Sequence, residues 1–391
     1  MLSKRVESLS DSMTLAITAL AKQMKADGRD VISFSAGEPD FDTPQIIKNA
    51  AIMALMDGFT KYTAVAGSLD LIKAIEVKLR RENNLIYDAG DIIASVGAKQ
   101  SLFNLTQALI DEGDEVIIPA PYWVTYPEIV KYAGGKVVEI LTDDSTSFKI
   151  TPKQLSDAIT DKTKLLFLNS PSNPAGSVYT KKELEGLAEV LKDTNVLVAS
   201  DEMYEKLIYD GLKFTSTASV NEDMYSRTIT INGLSKSAAM TGWRFGYLAC
   251  PIRELTAGMK KLQSQSTSNI NSITQKAAIP ALLGEVDRDI EAMRVQFEKR
   301  RNLAINLFNE IKGLSVINPS GAFYLFVNIK NFSDNSLDFC KRLLEEKGVA
   351  TVPGIGFGSE GYFRFSFAAD ENSIKEGIER IKSFVKDYVG A

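Results

Sequence analysis

Thr228-Ile-Thr-Ile-Asn-Gly-Leu-Ser-Lys-Ser-Ala-Ala-Met-Thr-Gly-Trp-Arg-Phe-Gly-Tyr-Leu-Ala-Cys250 is the stretch on which the reading of this chain turns. Residues 228–231 are β-branched and short, the mark of a strand, and Asn232-Gly233 is expected to break it. Ser235-Lys236 follows at the break, Arg244 comes eight residues after the lysine, and residues 245–250 read as a second apolar strand. A lysine is thereby held in a loop between two strands expected to be buried, with a hydroxyl beside it and a guanidinium nearby. Desolvation or a cationic neighbour lowers a lysine's pKa and makes its amine a nucleophile toward aldehydes. Ser235 and Arg244 together suit a phosphate, the arginine through its fork of donors. An aldehyde with a phosphate tail would use all three groups, and pyridoxal 5′-phosphate (PLP) is such a molecule. Read alone, the same residues also fit an exposed loop lysine.

The segment Ser-Lys-Ser-Ala-Ala-Met-Thr-Gly-Trp-Arg closely resembles the Schiff-base segment of class I aminotransferases of PLP fold type I, and further matches run from about Gly37 to Arg364. They resemble the bacterial aspartate aminotransferase branch most. The resemblance implies that Lys236 is the PLP-binding lysine and that Ser235 and Arg244 bind the phosphate. Gly37, in Gly-Glu-Pro-Asp-Phe-Asp-Thr-Pro, matches the glycine whose backbone meets the substrate carboxylate, an approach that the absence of a side chain permits. Tyr62 matches a tyrosine that crosses a dimer interface to the partner's phosphate. Residues 92–96, the turn at Gly97 and the helix after it read as strand, glycine turn, helix, and a helix N-terminus attracts anions. This aligns with the family's phosphate cup, so Gly97, Ala98 and Lys99 are candidates there, and Lys99 also matches a reader of the substrate's distal carboxylate. Trp123 matches the aromatic that stacks on the pyridine ring. Asn173, in Ser-Asn-Pro-Ala-Gly, matches the donor to the cofactor's phenolic oxygen, although Ala175 stands where the family has threonine. Asp201 and Tyr204 match the aspartate facing the ring nitrogen and a tyrosine bonding the same phenolic oxygen. Arg364 matches the fork that holds the substrate α-carboxylate in a bidentate pair. Ser12 and Thr14 read as capping residues or, by resemblance, as neighbours of the substrate.

Composition narrows the chemistry independently. With 391 residues, 45% apolar and 24% charged, the chain has room for two domains of an ordinary globular protein. A net charge of −5 without basic blocks argues against nucleic acid. No apolar run reaches a membrane span and the N-terminus lacks an apolar signal core, so a cytoplasmic enzyme is expected. The chain has no histidine and two cysteines, Cys250 and Cys340. That excludes Ser-His-Asp and Cys-His catalysis and His-ligated metals, and no metal site is expected. Acid–base work falls to Lys, Tyr, Asp, Glu or a cofactor.

Short apolar strands alternate with helices through the first two-thirds, which implies βαβ units and a largely parallel sheet. A charged run at 285–288 precedes a long helix with Arg294, Lys299, Arg300 and Arg301, expected to be a solvated connector, and the remainder reads as an α+β unit. The polar run 263–268 reads as a helix terminus, which the resemblance puts near a dimer interface. The expectation is therefore an α/β protein of PLP fold type I. Residues 45–285 would form a large domain with a mostly parallel seven-stranded sheet, and residues 1–44 with 286–391 a smaller α+β domain. The implied reaction is ping-pong transfer of an amino group from an L-amino acid, aspartate being favoured, to a 2-oxo acid such as 2-oxoglutarate, by a homodimer. Aromatic, prephenate or alanine specificity and a PLP β-lyase of the same fold stay open. A PLP-binding regulatory module is disfavoured because no basic helix-turn-helix region precedes Gly37.

Overall fold

The computed structural model describes residues 1–11 and 13–388, so the expectation for Ser12 lies outside the described residues. Its strands are β1 (Ile32–Ser33), β2 (Ile92–Val96), β3 (Glu115–Ala120), β4 (Lys136–Leu141), β5 (Thr163–Asn169), β6 (Leu197–Asp201), β7 (Thr228–Gly233), β8 (Phe245–Ala249), β9 (Ser315–Val316), β10 (Tyr324–Asn328), β11 (Val349–Ala350), β12 (Val352–Pro353) and β13 (Tyr362–Ser366). A seven-stranded sheet has the order β2-β8-β7-β6-β5-β3-β4. Pairing is parallel throughout except at β8, which runs antiparallel to both β2 and β7.

The sheet is covered on both faces, and the strands show why. In β5, Leu165 and Phe167 enter one apolar cluster while Leu166 and Leu168 enter another with Leu184, Leu187 and Leu191 of the helix Lys181–Leu191. Successive side chains of a strand point to opposite faces, so a run without polar alternation needs two apolar partners. That helix starts on a capping box in which Thr180 accepts from the Glu183 N–H and Glu183 reaches back to the Thr180 N–H. β4 closes one edge with Lys136 and Glu139 exposed, charges that discourage pairing with another strand.

A four-stranded sheet, β12-β13-β10-β9, lies in the C-terminal third. β1 pairs in parallel with β11, tying the N-terminal segment to that third. Phe34, directly after β1, stacks on Phe365 of β13 with centroids 4.1 Å apart.

Two expectations need correction, those for Gly233 and for the connector helix, and one helix was not foreseen. Gly233 does not break its strand; it pairs with Gly246 across the sheet, where a Cβ would stand 2.8 Å from the Phe245 carbonyl oxygen. Two glycines let these backbones pass close to their neighbours, so glycine here serves packing and not a turn. The helix Ser272–Leu283 was not expected, because it carries Pro280 and groups its polar residues in the first turns, without a 3.6-residue apolar stripe. Arg301, in the connector helix Asp287–Asn309, is 1% exposed and makes a two-pronged pair with Asp210 at 2.6 and 2.7 Å. The polar run 263–268 does close a helix, Arg253–Ser266, and within it Gln263 is buried, its amide donating to the Val65 and Ala94 carbonyls.

Candidate active site

Strand direction assembles the site. Val96 of β2 lies opposite Phe245 and Gly233 of β7 opposite Gly246, so the start of β8 sits beside the ends of β2 and β7. Asn169 and Asp201, the last residues of β5 and β6, are register partners on the same edge. Ligands of open α/β sheets bind beyond the carboxyl ends of strands. A cavity of about 260 Å³ lies there. Ala98, Lys99, Trp123, Asn173, Asp201 and Tyr204 line it, with Ser235, Lys236 and Arg244 from the central stretch and Thr14, Gly37 and Arg364 from outside the large sheet. Gly97 adjoins it behind Arg244, whereas Tyr62 lies outside it and is 90% exposed.

At one end, the helix Ala98–Leu109 begins after Gly97, whose φ of +77° favours glycine. A Cβ on Gly97 would stand 2.4 Å from an Arg244 Nη, so the glycine lets the guanidinium lie against the first helical turn. Arg244 itself has φ +57° and donates to the Thr241 carbonyl at 2.8 Å. First-turn N–H groups, this guanidinium and the Ser235 hydroxyl form an anion-binding corner. Lys99 stands beside it with Nζ 4.8 Å from the Trp123 ring centre, and burial and then Arg244 hold its amine below the ordinary lysine range.

In the middle, Asp201 accepts from the Tyr126 hydroxyl at 2.7 Å and from the Met203 N–H at 3.2 Å. Burial raises its pKa, and those two donors and Lys236 pull it back. Lys236 Nζ donates to the Gly37 carbonyl at 2.5 Å. Its pKa is lowered to about 8 by burial and then by the Arg364 guanidinium, with Arg244 adding to the effect. The sequence points to desolvation or one cationic neighbour, Arg244; Arg364 is a second cation that the fold brings up.

At the far end, Arg364 is 2% exposed. It donates to Asn173 Oδ1 at 2.9 Å and to the Ser35 carbonyl at 2.7 Å, while its buried Nε has no partner. Burial depresses its pKa, and the groups that push it back up are the phenols of Tyr324 and Tyr204, not carboxylates. A buried guanidinium without a counter-carboxylate is costly until an anion reaches it. Asn173 thus spends its carbonyl on Arg364, which leaves its NH₂ as the available donor. Ala175 is buried among Phe148, Phe326, Val352 and Phe357, an apolar setting with no use for a threonine hydroxyl.

Tyr126, Asn169 and Tyr324 also line the cavity and were not singled out from the sequence. Asn169 donates to the Asp201 carbonyl at 3.0 Å and accepts from the Asn173 N–H at 2.8 Å. Tyr126 and Tyr324 are fully packed tyrosines whose spacing differs in no way from that of core aromatics. The assembly can hold a phosphate at one end and a carboxylate at the other, with a poised amine and a buried acid between them.

A family profile described as aminotransferase class I and II matches residues 29–381. The chain is 48% identical to an aspartate aminotransferase of Bacillus sp. (strain YM-2), with 99% of each chain covered. It is also 48% identical to an aspartate/prephenate aminotransferase of Nitrosomonas europaea, over 98% of this chain and 99% of that one. The solved aspartate aminotransferase from Rhizobium meliloti superposes with a TM-score of 0.96 at 43% identity, covering 100% of both chains.

Proposed function

The chain belongs to the class I and II aminotransferases, and from that premise we propose that it uses PLP to move the amino group of L-aspartate to 2-oxoglutarate. The observation that carries the proposal is a cavity with an unpaired buried arginine, Arg364, and a second cation, Lys99, on either side of Lys236 and Asp201. Two cations suit a substrate with two carboxylates. The relatives named above support the same donor class.

The residues fit PLP on chemical grounds. The corner of Gly97, Ala98, Ser235 and Arg244 suits its phosphate. Asp201, buried and in no ion pair among the described residues, suits a protonated ring nitrogen. Asn173 and Tyr204 supply donors for its phenolic oxygen, Trp123 a stacking face, and Lys236 the tethering amine. When bound, PLP supplies an aldehyde that exchanges amines and a ring that withdraws electrons from the substrate's α-carbon. Arg364 and the backbone at Gly37 orient the α-carboxylate. Lys236 Nζ, its pKa lowered to about 8, is neutral in about a tenth of molecules at pH 7 and can take and return the α-proton. Asp201 holds its negative charge against the ring side of the cavity.

The proposal extends to assembly. Tyr62 is exposed, and the helix Gln45–Met56 exposes Ile46, Ile52, Met53, Leu55 and Met56. A homodimer would cover this face and bring Tyr62 to the partner's phosphate corner. We likewise assign residues 45–285 to a large domain and residues 1–44 with 286–391 to a small one, a grouping that the β1–β11 pairing supports. No helix among the described residues is long and apolar enough to cross a membrane. A cytoplasmic location is part of the proposal, in keeping with two buried free thiols.

Borohydride reduction of the PLP-loaded enzyme followed by peptide mapping should label Lys236; label on another lysine overturns its role. Steady-state kinetics with aspartate, phenylalanine, alanine and cystathionine as donors should give the highest kcat/KM for aspartate, and 2-oxoglutarate should exceed prephenate as the acceptor. A higher value for prephenate than for 2-oxoglutarate would move the assignment to the other activity named among the relatives, and pyruvate with ammonia from cystathionine would indicate the β-lyase.

A further inference from the structure

Tyr324 belongs to β10, is 0% exposed, and touches three groups to which roles were assigned above. The Arg364 guanidinium carbon lies 4.4 Å from the centre of its ring. Its hydroxyl is 2.9 Å from the Tyr204 hydroxyl. A Cβ built on Gly37 would stand 3.0 Å from the same hydroxyl oxygen. One side chain therefore stands between the backbone and the arginine that form the carboxylate slot, and also reaches the phenol facing the cofactor's oxygen.

We propose that Tyr324 is a positioning residue with two separable actions: its ring holds the Arg364 guanidinium in its plane, and its hydroxyl donates to Tyr204 so that the Tyr204 proton points into the cavity. The first action follows from the missing counterion. The polar partners of Arg364 are one carboxamide oxygen and one backbone carbonyl. A guanidinium over an aromatic face is attracted by the ring quadrupole, and more strongly where water is excluded. The second follows from counting protons. Two hydroxyls share one O···O line, so one proton lies on it and the other points elsewhere. Among the described residues the Tyr324 hydroxyl has no hydrogen-bond partner besides Tyr204, whereas Tyr204 needs its proton for an acceptor in the cavity. The chain Tyr324 to Tyr204 to cavity is the order that gives both protons an acceptor.

The inference rests on the roles proposed for Arg364 and Tyr204, so the test carries controls for both. PLP-loaded wild type, Tyr324→Phe, Tyr324→Leu, Tyr204→Phe and Arg364→Lys are compared in two measurements: the pH midpoint of the visible absorbance without substrate, and the dissociation constant of maleate, a dicarboxylate that cannot react. Tyr324→Phe should raise the midpoint by about half a pH unit, in the direction of Tyr204→Phe but by less, and should leave maleate binding within about twofold. Tyr324→Leu should weaken maleate about tenfold and raise KM for aspartate more than it lowers kcat; Tyr324→Met replaces it if the leucine variant does not fold. A wild-type midpoint in Tyr324→Phe overturns the hydroxyl's role, and wild-type maleate binding in the leucine or methionine variant overturns the ring's. If instead Tyr204→Phe leaves the midpoint unmoved, or Arg364→Lys leaves maleate binding unmoved, the underlying roles fail and the inference falls with them.

Discussion

Asp201, the last residue of β6, and Glu202 just after it are adjacent carboxylates, both buried, and burial raises the pKa of both. Alternation along the strand sends them to opposite faces of the sheet. Asp201 opens on the cavity with two donors, the Tyr126 hydroxyl and the Met203 N–H. Glu202 is walled in, one oxygen accepting from Ser200, Ser216 and the Thr217 N–H while the other has no partner. Its pKa is pushed up to about 7 by burial and then by nearby Glu205. A perturbed pKa therefore does not mark a functional acid by itself. What distinguishes the two is whether space for a ligand lies in front of the carboxylate.

The largest effect that sharpens this contrast belongs to Asp201→Asn. It keeps the shape and removes the charge, and losing one preorganised electrostatic group costs about 10²–10³ in kcat. Single-turnover kinetics on PLP-loaded protein would show it, and a near wild-type rate would overturn the role given to Asp201. Glu202→Ala comes next, on stability and not on rate. It strands the Ser216 hydroxyl and the Thr217 N–H, while the Ser200 hydroxyl keeps Thr217 Oγ1, which should cost about 2–4 kcal/mol in denaturant unfolding of the holoenzyme. Tyr126→Phe should lower kcat about tenfold without altering Tm by more than a few degrees, because hydrogen bonds to charged groups are worth about 1.5–3 kcal/mol.

The last effect concerns pH and leaves the rate untouched. Folded protein keeps the Glu202 proton up to about pH 7, while an unfolded chain releases it near 4.5. The unfolded state therefore binds fewer protons across that window, so this residue's contribution to stability falls as pH rises through it and is flat above. Glu202→Gln should remove that slope, a gain of up to about 3 kcal/mol at pH 8 relative to wild type, with kcat unchanged. Thermal unfolding of both proteins between pH 5 and 8 measures it, and an unchanged slope would mean that Glu202 is not the titrating group.

Much of the site was legible because its residues sit in short runs with a chemical meaning: Ser-Lys at a strand end, glycine before a helix, aspartate after an apolar strand. The glycine before Lys236 misled, since Asn-Gly reads locally as a turn and only cross-strand packing against Gly246 makes it part of β7. The connector helix misled for a similar reason. Arg300 and Arg301 are neighbours with the same side chain, yet both find carboxylates, Asp40 and Asp210, from distant loops, and Arg301 is buried while doing so. Tyr126 and Tyr324 carried no signal at all, because a packed tyrosine and a positioning tyrosine have the same spacing and composition.

The sequence by itself determined the α/β class, the central parallel sheet and the edge at which a ligand must sit, because periodicity and strand order depend on local pattern and chain direction. It also determined which chemistry is available, since a chain without histidine must rely on lysine, carboxylates, phenols or a cofactor. Only the tertiary structure decided that Arg364 is buried without a carboxylate, that Lys236 lies between cations and that Asp201 faces the cavity while Glu202 does not. These are differences in solvation and distance between groups tens to hundreds of residues apart, and electrostatic energy depends on those quantities and not on separation along the chain.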